Sequence, residues 1–277
     1  MRTKQNQITE TAVQNTSRRH TKQLTLRAVL LQIVGFSLLL FHANAVMAQT
    51  DSPAATGASN APTLVIGFMG GFVHSDDLRH SEAQLAQRLQ RNYGDRIQVE
   101  MFENRQRAKA HEQIIEWLGG LEGTGEQMPQ PHIILFGHSW GASAVVYLAR
   151  ELERDAVPVA LTVQVDSVRK HGKDDSLIPA NVAEAVNFYQ PDGILHGQPR
   201  ILAADPSRTT IVGNYRFTYA HEPAACHAYP WHDRLLFKGH TAIECDPQVW
   251  SHIERLIETR LPRVKPVDTE VVEQLTR

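Results

Sequence analysis

The sequence predicts an α/β protein built on a mostly parallel central sheet with helices on both faces. Three observations carry this. Short apolar runs alternate with segments of helical periodicity between Thr63 and Leu261. Several of those runs are apolar along most of their length, as strands covered on both faces must be. The chain is also long enough, at 277 residues with 42% hydrophobic, to bury one large core.

The elements follow in order. "TLVIGFM" (63–69), bounded by Gly70-Gly71, is the first strand. Residues 76–94 place Leu78, Leu85 and Leu89 at helical spacing and end at Gly94, a suitable C-cap. "RIQVEMF" (96–102) alternates as a strand does. Residues 107–120 are helical, with Ile114, Ile115 and Leu118 on one face, and 122–131 form a loop. "HIILFG" (132–137) is a strand and "ASAVVYLARELERD" (142–155) a helix. "VPVALTVQVDSV" (157–168) is a Val-rich strand in which charge arrives only at Asp166. "VAEAVNFYQ" (182–190) ends in another strand. Residues 208–219 form a strand or a hairpin, since Gly213-Asn214 is a turn pair. Asp246-Pro247 supplies an N-cap and a first-turn proline for the closing helix, 247–261.

The N-terminus differs from the rest. Residues 1–48 carry Arg2, Lys4, Arg18, Arg19, Lys22 and Arg27 against one acid, Glu10. An apolar run, Ala28–Phe41, follows, and then Val46-Met47-Ala48, a small-x-small cleavage pattern. This reads as a secretory signal over 1–48, shorter in its apolar part than the roughly 20 residues of a membrane span. The other reading is an uncleaved anchor. Residues 49–61 are a small, polar tether, 62–265 the folded domain and 266–277 a tail. A net charge of −2 offers no basic patch, which excludes nucleic acid as the expected partner. The two cysteines, Cys226 and Cys245, form no CxxC motif. In an oxidising compartment they would pair, stabilising by roughly 3 kcal/mol through loop closure; otherwise they are two buried thiols.

The chemistry centres on Gly137-His138-Ser139-Trp140-Gly141. A strand runs into it and a helix runs out, the setting that a G-x-S-x-G nucleophile turn requires. The serine hydroxyl must project above the sheet from a strained backbone, and residues two either side must lack side chains. His138, the variable x, shapes the pocket.

With these residues the chain resembles the α/β-hydrolase superfamily, in particular its small lipase- and esterase-like members, over roughly residues 62–262. The resemblance implies a triad in the order Ser, acid, His, and an oxyanion hole of two backbone N–H groups. Ser139 is then the nucleophile. The family places its histidine in the loop before the last helix, where this chain has His240. Neutral imidazole suits the task of taking the serine proton near pH 7. The acid is Asp166, at the carboxyl edge of the sheet, or Asp192, one strand later. Asp174, Asp175 and Asp205 read as solvated loop charges. The oxyanion donors are Trp140 and, from the loop after the first strand, Gly71 or Phe72. Where many members have His-Gly-x, this chain has Met69-Gly70-Gly71. His221, His227 and His232 read as loop packing, since three histidines would need a fourth zinc ligand or water.

The expectation is therefore an exported serine hydrolase, periplasmic or secreted, with at most a short lid. It acts on a small-molecule ester or thioester, needs no metal or organic cofactor, and has no stable membrane association once the signal is cut. An amidase or peptidase on the same triad is the nearest alternative. A hydrolase-fold binding protein without activity is another, which the full set of Ser139, His240 and Asp166 disfavours.

Overall fold

The computed structural model describes residues 61–122, 129–169, 174–220, Cys226, Tyr229 and 237–261. The expected signal segment, nearly all of the tether, most of the 122–131 loop, His221, His227, His232 and the tail 266–277 lie outside these residues.

Six strands form one sheet: β1 (Thr63–Met69), β2 (Gln98–Glu103), β3 (His132–His138), β4 (Val159–Val165), β6 (Val182–Tyr189) and β8 (Thr210–Arg216). Their order is β2-β1-β3-β4-β6-β8 and every pairing is parallel. A parallel sheet needs crossover connections, and these supply the covering helices. Side chains alternate across the strands. Leu64, Ile66 and Phe68 of β1 and Ile133 and Leu135 of β3 face one core, with α2 (Arg107–Glu122) and α3 (Trp140–Arg154) packed over it. Val65, Ile134 and Phe136 face the other, covered by α1 (Ser81–Tyr93), α4 (Lys238–Cys245) and α5 (Pro247–Glu258). Strands buried on both faces explain the continuous apolar runs. This is the expected α/β fold of the hydrolase-like kind, with the Gly137–Gly141 turn at the end of its central strand β3.

Several elements differ from the sequence expectation. Helix α1 starts at Ser81, not residue 76, and Leu78 is 48% exposed. The Asp77 carboxylate accepts from the Arg79 amide and guanidinium, a local arrangement that competes with helix. Ile115 lies at the rim of α2, because the next position around the helix from buried Ile114 points away from the sheet. Residues 208–219 contain a single strand, not a hairpin. Asn214 remains in β8, where its Oδ1 accepts from Ile201 N at 2.8 Å, and the chain takes up an irregularity opposite Ala185/Val186 instead of turning. A second, two-stranded parallel ladder, β5 (Leu177–Ile178) with β7 (Leu202–Ala203), is too short to leave a periodic signal.

Candidate active site

Ser139 stands between β3 and α3 with φ 56°, ψ −122°. A non-glycine residue there is strained, and surrounding bonds hold it. Its amide donates to Val165 O at 2.9 Å, and its carbonyl accepts from Val168 N at 3.2 Å. The two motif glycines are required by close approach. A Cβ on Gly137 would stand 2.6 Å from the Gly141 carbonyl carbon, and one on Gly141 would stand 2.3 Å from Phe68 O.

Asp166 follows β4 directly and also has positive φ, 43°. It is fully buried. One carboxylate oxygen accepts from the backbone N–H of Gln190 (3.2 Å) and Gly197 (2.6 Å); the other accepts from Gln190 Nε2 (2.8 Å) and His240 Nδ1 (2.6 Å). Burial pushes its carboxyl up, but the His240 hydrogen bond and charge, with Gln190, outweigh this and hold it below the usual carboxylate range. A carboxylate only accepts, so Nδ1 of His240 carries the proton and Nε2 is left as the acceptor. Nε2 lies 2.8 Å from Ser139 Oγ.

The structure thus brings Ser139, His240 and Asp166 together. Asp192 is engaged elsewhere, accepting from Thr218 Oγ1 (2.8 Å) and Tyr219 N (2.5 Å). Asp175 is not a solvated charge: it is fully buried and accepts from Ser167 Oγ at 2.6 Å, and from Ser143 and Gln198. Its donors come from α3 (Ser143) and from two other segments (Ser167 and Gln198), which no local pattern pairs with it. His240 lies in helix α4 and not in a loop. Gly239 is present because a Cβ would meet Asp192 O and Gln190 Oε1 at 2.3 Å, not because the chain breaks there.

Trp140 opens α3, where the helix N-terminus favours negative charge. Gly71 and Phe72 line the same cavity as Ser139 and His240, and Asn104 Nδ2 donates to Gly71 O, fixing that peptide. The cavity measures about 540 Å³. Phe72, Val73, Trp140, Val168, Leu195 and Phe237 make its wall largely apolar. Phe72 is 87% exposed and meets Trp140 edge to face at 5.3 Å.

Cys226 and Cys245 form a disulfide, with Cα atoms 5.5 Å apart. Cys245 ends α4, the helix that carries His240.

Behind His240 lies a group that the sequence did not disclose. The His138 ring packs tilted against the His240 ring, their centroids 4.6 Å apart. His138 Nδ1 lies 3.3 Å from Glu244 Oε2 and 3.7 Å from Glu82 Oε1. Glu244 also accepts from His80 Nδ1 at 2.6 Å and from the Tyr229 hydroxyl. Burial pushes the His138 imidazole down to about 4, so it is neutral at pH 7. Burial, then the Glu244 charge, pushes Glu82 well above the usual carboxylate range; His138 and His80 outweigh burial at Glu244 and hold it below. The one available signal was polar residues set within apolar stretches, Glu82 before Ala83 and Leu85, and Glu244 after Ile243. Nothing in one dimension pairs two residues 162 positions apart.

No protein-family model matches this sequence, and no curated protein matches it. Solved structures do show likenesses. A protein of Xanthomonas campestris pv. campestris assigned to the alpha/beta hydrolase superfamily is 13% identical at TM-score 0.36, covering 71% of this chain and 98% of its own. The RedJ thioesterase of the prodiginine pathway in Streptomyces coelicolor is 15% identical at TM-score 0.32, covering 74% and 97%. The NocB thioesterase domain, solved as a covalent complex with a fluorophosphonate nocardicin G analogue, is 12% identical at TM-score 0.35, covering 72% and 98%. The fold follows from the strand order and crossovers above; likenesses this distant say nothing of substrate.

Proposed function

We propose that this chain is a serine hydrolase that cleaves a carboxylic ester or thioester through an acyl-enzyme on Ser139. The observation that carries the reading is the unbroken line of two hydrogen bonds, Ser139 Oγ to His240 Nε2 at 2.8 Å and His240 Nδ1 to Asp166 Oδ2 at 2.6 Å. In this mechanism His240 takes the hydroxyl proton as Ser139 Oγ attacks the acyl carbon. Asp166 fixes the tautomer and stabilises the imidazolium. The N–H groups of Trp140 and Gly71 receive the developing oxyanion, with Phe72 the alternative second donor. His240 then gives its proton to the departing alcohol or thiol, and water, activated the same way, releases the acid. The apolar cavity wall suits a substrate with an apolar acyl or leaving group.

In the same reading residues 1–48 are a secretory signal, 49–61 a tether, 62–265 the hydrolase domain and 266–277 a tail. Export is supported by the disulfide and by the basic, then apolar, N-terminal pattern. No helix among the described residues is long and apolar enough to cross a membrane.

The test is active-site labelling of the full chain, made through an export route, with a fluorophosphonate probe. Wild type should label and Ser139→Ala should not; a panel of matched esters, thioesters and amides then fixes the bond cleaved. Folded wild type that resists labelling and turns over none of the panel overturns the reading in favour of a binding protein.

A further inference from the structure

His80, His138 and Glu244 line the same cavity as Ser139 and His240, yet no step of the proposed acyl transfer uses them, and the burial of Glu82, His138 and Glu244 needs an explanation. Glu82 is fully buried; its own backbone N–H and that of Gly70 approach its carboxylate, but neither oxygen receives a well-formed hydrogen bond among the described residues. His138 is 3% exposed, and neither ring nitrogen has a hydrogen-bond partner among them. Glu244 is buried beside both. Glu244 has donors in His80 and Tyr229, but a carboxylate and an imidazole withdrawn from water beside it are costly unless something binds them. A proton on Glu82 would relieve the repulsion between the carboxylates. It would leave the two nitrogens of His138 as they are.

We propose that His80, Glu82, His138 and Glu244 bind one divalent transition-metal cation, zinc by preference. The donor atoms of His80, Glu82 and Glu244 lie within 4.8 Å of one another. Four ligands around tetrahedral zinc, each at about 2.0–2.1 Å, stand roughly 3.3 Å apart. His138 Nδ1 already stands 3.3 Å from Glu244 Oε2 and 3.7 Å from Glu82 Oε1. His80 Nδ1 and Glu244 Oε1, now hydrogen-bonded at 2.6 Å with the Tyr229 hydroxyl against both, would separate by less than about 1 Å and give up that hydroxyl to share the metal. Two imidazoles and two carboxylates are a donor set for zinc or a neighbouring first-row ion, and a poor one for magnesium or calcium, which take oxygen ligands.

The placement also gives the cation something to do. His80 and Glu82 stand at the start of α1, His138 ends β3 immediately before Ser139, and Glu244 lies one helical turn beyond His240 on α4. One ion would tie the helix carrying His240 to the turn carrying Ser139 and to a third element. Its role is structural, and the acyl chemistry does not pass through it.

The test uses the full chain, exported and purified without chelator. Elemental analysis should find about one zinc per chain. Removing it with EDTA should lower Tm by about 5 °C or more, and zinc alone should restore it. Cobalt in its place should give the visible bands of a four-coordinate ion. Glu82→Gln and His80→Ala should each reduce bound metal at least tenfold and abolish the EDTA-dependent Tm shift; two variants are used because one of them could fail to fold. The proposal is overturned if folded wild type retains no metal and shows no Tm shift with zinc, manganese or cobalt. It is equally overturned if both variants hold metal as wild type does.

Discussion

His138 and His240 are neighbouring, buried imidazoles with their rings in tilted contact, yet their surroundings are opposite. His240 has a partner on each nitrogen, a carboxylate on one side and a hydroxyl on the other. His138 has a hydrogen-bond partner on neither among the described residues. Burial alone therefore does not define a site. An imidazole whose two nitrogens are aligned between an acid and a nucleophile can move a proton. One whose Nδ1 faces two carboxylates without a hydrogen bond to either is placed to share a ligand with them. The difference separates a line of residues read here as reactive from a group read as holding them in place.

The largest effect should come from breaking the His240 line. Ser139→Ala should remove fluorophosphonate labelling and lower kcat by about 10⁴-fold or more, with Tm close to wild type. Asp166→Asn should lower kcat by about 10³- to 10⁴-fold through the wrong His240 tautomer. It should also destabilise by about 1–3 kcal/mol, because the new amide sets an N–H against donors such as Gln190 Nε2 or the Gly197 amide. The pH dependence follows from the same group. Asp166 is held below its ordinary value, so it stabilises the fold above the unfolded carboxylate range and that stability is lost as pH falls through the folded value. Acid unfolding followed below about pH 4 should show this component in wild type and not in Asp166→Asn. A variant retaining wild-type turnover would break the comparison outright.

The two histidines also mark what can be read in one dimension. The main strands and Ser139 were legible because each leaves a local pattern: an apolar run, a pair of glycines, a strand entering and a helix leaving. Asp166 is legible as a candidate because its charge ends an apolar strand, though Asp192 meets a similar description. The partners of Asp166, Gln190 and Gly197, come from a segment beyond the next strand, and no local rule names them. Helix α4 was missed because eight residues containing Gly239 make a weak periodic signal. The cluster at His80, Glu82, His138 and Glu244 assembles from three elements, so it exists only in the folded chain. The same holds for Asp175, whose partners Ser143, Ser167 and Gln198 are drawn from separate segments.

A smaller effect should come from the disulfide, because α4 serves both histidines: it carries His240 itself and brings Glu244 beside His138. Cys226–Cys245 anchors its end. Loop closure of this length stabilises by roughly 3 kcal/mol at most, mainly through the unfolded chain. Loosening the helix acts on the site directly. Reduction verified by thiol count, or Cys245→Ala, should lower kcat/KM on the order of tenfold at temperatures where circular dichroism still reports a folded chain. Unchanged turnover after verified reduction would show that core packing of Ala242 and Ile243 holds α4 without the bridge.

The smallest expected effect lies at the cavity mouth, away from both histidines. Phe72 is 87% exposed, and its edge-to-face contact with Trp140 at 5.3 Å is its one ring contact among the described residues. A large apolar side chain left in water beside a mostly apolar cavity is placed to cover the bound substrate. Such cover binds ground state and transition state alike, so its loss should raise KM and leave kcat nearly unchanged. An aromatic contact of this kind is worth about 0.5–1.5 kcal/mol, which is roughly a twofold to tenfold rise in KM. Phe72→Ala should therefore raise KM for long acyl esters more than for acetyl esters. If instead kcat falls equally for both, the Phe72 side chain positions the Gly71–Phe72 backbone of the oxyanion loop and does not cover the substrate.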